Sequence, residues 1–135
     1  MIPHEAFAAI ALVAVGCDGV LDKDESSALR IQLAGRSPYR DLSDRVMAEL
    51  FDGLLARLRQ LGWEELLREA IAALSPAQQE TALAMAASLV YANHVVDPVQ
   101  EKFLGAMSAQ VNLPTERSNQ ILDVIALLNR DSLAI

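Results

Sequence analysis

The chain has 135 residues, 53% of them hydrophobic but only 4% aromatic, which is enough for one sizeable core without metal or disulfide staples and too poor in β-branched and aromatic residues for a sheet protein. A formal net charge of -7 argues against nucleic acid or an anionic membrane surface as partner, since either would call for clustered Lys and Arg. The single cysteine, Cys17, excludes an internal disulfide and fits a reducing, cytoplasmic setting.

Taken in order, the chain reads as about seven helices in a single all-α domain spanning residues 1–135. The first runs over residues 3–17, where Phe7, Ile10, Ala11 and Ala14 form one apolar stripe and Leu12, Val13 and Val15 make the rest nearly apolar, so burial on most sides is expected. Ala14-Val15-Gly16-Cys17 has some likeness to a lipoprotein cleavage box. The leader Met1-Ile2-Pro3-His4-Glu5 lacks the positive charge of an export signal, so the segment is read as a core helix. No apolar run reaches the roughly 18 residues of a spanning helix, and direct membrane insertion is not expected.

Gly19 then releases the chain, and Asp22 fits the N-cap of the second helix, with Glu25 three positions on to complete a capping box. Leu29 and Leu33 face inward, and Gly35 ends the helix. After the Ser37-Pro38-Tyr39 turn, a third helix is expected over residues 41–61, with Met47, Leu50, Phe51, Leu54, Leu55 and Leu58 at helical spacing. Arg57 and Arg59, two apart, point to different sides and make no basic stripe. Gly62 breaks the helix. A shorter fourth follows over residues 63–74 with Leu66, Leu67, Ala70 and Ile71 on its apolar side, and Trp63 reads as half-buried packing at its start.

Ser75-Pro76-Ala77-Gln78 opens the fifth helix with a cap, a first-turn proline and a reciprocal glutamine. That helix ends near Ala92-Asn93, and Asp97-Pro98-Val99-Gln100 opens the sixth with the capping logic of Asp22 to Glu25. Phe103, Leu104 and Met107 are its inward residues. Asn112-Leu113-Pro114 is a turn, and Ile121, Leu122, Ile125 and Leu128 are expected to carry the seventh helix against the core. The stretch from Ala92 to Gln100 thus repeats the layout of Cys17 to Glu25 seventy-five positions later. The expected architecture is two related three-helix units joined by a short helix, each folded about one polar loop.

Asp18, Asp22, Asp24 and Glu25 place four carboxylates in one short stretch, as a hard cation such as calcium requires, and the repeat would bring Asn93 and Asp97 beside them. These six residues are the candidate metal ligands. Oxygen donors disfavour zinc. The loop is not an EF-hand, because counting from Asp18 puts Lys23 at the sixth position, where glycine is required, and Leu29 at the twelfth, where glutamate is required. A competing reading needs no ion: Asp22 and Asp97 cap helices, and Glu25 and Gln100 close capping boxes. Asp18 is what capping explains least, since an acid at a helix C-terminus opposes the dipole. His94 is read as a solvated loop side chain and Cys17 as a small residue closing a core helix.

An apolar helix followed by Asp18-Gly19, Leu21, Asp22 and Glu25, with an altered echo in Asn93, His94, Asp97 and Gln100, resembles the TerB-like tellurite-resistance family. The resemblance covers most of the chain. It implies a compact all-helical stress-response domain of membrane-associated assemblies, with a protein partner and a divalent cation at the acidic loop. The expected function is therefore a non-catalytic binding or adaptor domain, tuned by calcium or another divalent cation. The chain carries no set of nucleophile, base and orienter and no glycine-rich phosphate loop, which favours that reading. The alternative is a carboxylate-based enzyme using Asp18 and Glu25 as an acid/base pair, which requires a cleft.

Overall fold

The computed structural model describes residues 1–17, 19–92 and 96–135. Among these it holds seven α-helices and no strand: α1 (Pro3–Gly16), α2 (Lys23–Ala34), α3 (Asp44–Leu61), α4 (Trp63–Ala72), α5 (Pro76–Tyr91), α6 (Pro98–Gln110) and α7 (Thr115–Leu128). A short 3-10 turn, Tyr39–Asp41, stands where the third helix was expected to begin. The α-helix proper starts three residues later, because Ser43 adopts extended backbone and its Oγ accepts from the Val46 N–H, which makes it the true N-cap.

Helices α1 and α5 form the axis of the fold. Their faces differ little in polarity, and a helix that is apolar all round must be surrounded. α1 packs against α3, α4 and α5, while α5 also carries α7 and touches α2 and α6. Every residue from Ala8 to Ala14 is fully buried. Four of those seven positions are alanines, so α4 and α5 approach α1 closely. Ile10, Leu12 and Val13 fill the space between, joined by Leu66, Leu67, Leu83, Met85, Phe103 and Met107. Trp63 is half-buried, with its ring set edge-on to Phe103 at 6.3 Å between centroids.

α3 and α7 are the outer helices and bury one side each. On α3, Met47, Leu54 and Leu58 are buried, while Leu50, Phe51 and Leu55 are half-buried along the margins of the same stripe. The expectation for α7 needs correction at one end. Ile121, Leu122 and Ile125 lean on the core, but Leu128 is 75% exposed, and the one buried residue of the helix is Ser118. Helical spacing puts Leu128 in line with the core-facing residues of α7, but at the last turn that side is left open to solvent.

Candidate functional site at the paired loops

The segment after α1 turns sharply at Gly19, whose φ is 81°. Leu21 then folds back so closely that a Cβ on Gly16 would meet its Cδ2 at 2.9 Å. α2 begins with a reciprocal cap. The Glu25 N–H donates to Asp22 Oδ1 at 2.7 Å, and the Asp22 N–H donates to Glu25 Oε1 at 3.1 Å. α6 repeats the arrangement: the Gln100 N–H donates to Asp97 Oδ1 at 2.9 Å, and the Asp97 N–H to Gln100 Oε1 at 3.4 Å. Both aspartates therefore satisfy orphan donors of a first helical turn, as expected from capping alone.

The start of α6 also meets the end of α1. Gln100 Nε2 donates to the carbonyl oxygen of Ala14, at 3.3 Å and across 86 positions of sequence. Asp22, Asp24, Glu25 and Gln100 line one small cavity of about 220 Å³, floored by Val15 and Leu89. α1 and α5 both end beside it, with no basic residue in the last turn of either. Each helix end brings a partial negative charge. The positive N-termini of α2 and α6 lie at the same place but are already answered by their aspartate caps. The balance of fixed charge at the cavity is negative.

Of the six candidate metal ligands, Asp22, Asp24 and Glu25 are brought together at this cavity. Asp97 caps α6 and does not line it. Asp18 and Asn93 lie outside the described residues, as does His94, so the acid/base pairing of Asp18 with Glu25 also falls there. Among the described residues, no three His, Cys, Asp or Glu side chains gather as a metal-holding group. The carboxylate and amide oxygens lining the cavity are of the kind a hard cation takes.

Two participants escaped the sequence reading. Arg59, on α3, donates from Nε to the Gly19 carbonyl at 3.0 Å, pinning the first loop to a helix forty positions away. Its neighbour Arg57 instead pairs with Glu69 at 2.6 Å, so the two arginines do diverge as their spacing requires. Gln100 was read only as a cap partner, whereas its amide also joins α6 to α1. Neither role has a local signature, because each depends on a neighbour distant in sequence. Cys17 is half-buried, and its thiol donates to the Val13 carbonyl at 2.8 Å.

Among the described residues no helix is long and apolar enough to cross a membrane. No family model, curated protein or solved structure matches the chain.

Proposed function

We propose that the chain is a non-catalytic binding or adaptor domain of the tellurite-resistance, TerB-like kind, built from two related three-helix units and acting in the cytoplasm on a protein partner. Its interaction site is the pair of loops, and a divalent cation, calcium by preference, tunes that site. The observation that supports this reading is the shared cavity. Gln100 at the start of α6 and Asp22, Asp24 and Glu25 at the start of α2 line one space where two helix C-termini also end. That concentration of negative charge favours a cation. Asp22, Asp24 and Glu25 would hold the ion, with Asp18 and Asn93 as further ligands from the two loops.

Thermal unfolding of metal-stripped protein, with and without millimolar calcium, tests the proposal, because a ligand that binds only the native state raises the midpoint. Asp24 is exposed and takes no part in the caps, so Asp24→Asn leaves the helix start intact. A calcium-dependent rise that is lost in Asp18→Asn and Asp24→Asn is the expected result. An unchanged midpoint at millimolar calcium would reduce the aspartates to helix caps.

A further inference from the structure

α1 and α5 both end at the paired loops, and both begin at a second, larger cleft. This cleft has a volume of about 650 Å³, within the roughly 300–1,000 Å³ range of small-molecule sites. His4 and Phe7 of α1, Gln78 and Thr81 of α5, and Arg36 and Tyr39 from the turn after α2 form its walls. The chain carries 18 acidic residues against 11 basic ones, yet among the described residues no Asp or Glu lines the cleft.

Arg36 is the unusual member. Six of the nine arginines pair with a carboxylate, while Arg36, like Arg59 and Arg130, forms no ion pair among the described residues. Its Nε is buried and has no hydrogen-bond partner. The guanidinium lies over the Phe7 ring, 5.4 Å from the centroid, which steadies a cation without satisfying its N–H donors. Tyr39 does not answer it. The Tyr39 hydroxyl donates to the His4 carbonyl, and burial holds it neutral, pushing its ionisation well above the ordinary tyrosine range against the opposing pull of Ala8 and Arg36.

We infer that this cleft binds a small organic monocarboxylate with an apolar body, its carboxylate on Arg36 and its body against Phe7 and Tyr39. A guanidinium matches a carboxylate through two parallel hydrogen bonds. The first turn of α5, capped by the neutral Ser75, adds partial positive charge at the same place, whereas Glu5 offsets that of α1. One guanidinium suits one anionic group, whereas phosphate sites usually gather several cations or a glycine-rich nest. The Phe7 ring beside Arg36 and the Tyr39 ring in the cleft wall favour an aromatic or branched aliphatic acid. The inference is independent of the cation site at the other end of the helices.

The test is titration of the full chain with phenylacetate and, separately, its neutral isostere phenylacetamide and inorganic phosphate, following arginine Nε–H resonances by two-dimensional NMR. Phenylacetate is expected to shift the Arg36 Nε–H signal saturably, and the amide and phosphate to bind at least about tenfold more weakly. Arg36→Gln, checked for an unchanged helical spectrum, is expected to weaken phenylacetate by about the same factor. Ala77→Phe, at an exposed position on the cleft wall, blocks the space without touching the core and should abolish binding. Equal binding of acid and amide, equal binding by Arg36→Gln, phosphate binding as tightly as the acid, or no saturable shift by about 10 mM phenylacetate would each overturn the assignment.

Discussion

Gln100, in the first turn of α6, reaches back to the carbonyl of Ala14 near the end of α1, so one side-chain amide both closes a helix cap and ties together two helices 86 positions apart. Gln100→Ala in metal-free protein removes both bonds. The expected loss is about 1–2 kcal/mol in urea unfolding, above the cost of a partial cap alone. Gln100→Glu keeps the reciprocal acceptor but loses the donor to Ala14, so it should fall between wild type and Gln100→Ala.

Gly19 and Gly62 have nearly equal positive φ, 81° and 82°, but different surroundings. Alanine at either position is strained, at about 1–3 kcal/mol. A Cβ on Gly19 would also stand 3.0 Å from Arg59 Cγ, whereas one on Gly62 meets nothing within 4 Å. In a double-mutant cycle by urea unfolding, Arg59→Ala should couple to Gly19→Ala and add independently to Gly62→Ala.

Gln79 is a buried polar hub. Its Nε2 donates to the Ile71 and Leu74 carbonyls, each at 3.0 Å, and its Oε1 accepts from the Asn112 N–H at 2.6 Å. It therefore holds the end of α4 and the turn after α6 to the first turn of α5. Gln79→Leu removes the partner of the Leu74 carbonyl and the Asn112 N–H, while the Ile71 carbonyl still accepts from the Leu74 N–H, and is expected to cost about 2–4 kcal/mol, measured by denaturant unfolding.

Ser118 is fully buried, and its Oγ lacks a hydrogen-bond partner. Removing that hydroxyl takes away an unpaid desolvation cost, and alanine is also the better helix former. Ser118→Ala should stabilise the protein by about 1 kcal/mol. A lower unfolding midpoint would mean that the hydroxyl has a partner of value.

The Arg117–Glu80 pair joins α7 to α5 at 2.8 Å. The hydrogen bond from Arg117, helped by its charge, holds the Glu80 carboxyl below the usual glutamate range. A depressed folded-state value means that the pair's contribution is present above the unfolded glutamate value and is lost as pH falls through the folded one. The pair is largely solvent-exposed, so the effect is small and shrinks with salt. The gap in thermal midpoint between wild type and Glu80→Gln should be present at neutral pH and close in acid. A gap independent of pH would point to packing instead.

Much of the fold is legible in the chain because helix starts and stops are local. Asp22, Ser75 and Asp97 cap where their side chains can reach the third N–H, and Gly62 breaks α3 from α4 as its position demands. The start of α3 was less legible, because Asp41 and Ser43 are both acceptable caps and only the 3-10 turn about buried Tyr39 selects Ser43. Leu128 misled for a related reason. Apolar periodicity shows which face a helix would bury, but not how far along the helix that face stays covered.

The candidate site divides the same way. Sequence alone determined that seven helices form and that Asp22, Glu25, Asp97 and Gln100 close two matching caps, because these depend on side chains within one turn of the backbone they serve. Only the tertiary structure decided that Gln100 reaches Ala14, that Arg59 pins Gly19, and that Arg36 is left facing a cleft that none of the described carboxylates lines. Those relationships depend on how whole helices pack. Helix packing follows from the summed shape of many small and large side chains, among them the alanines of α1 that let its neighbours approach, so no short stretch of sequence records it.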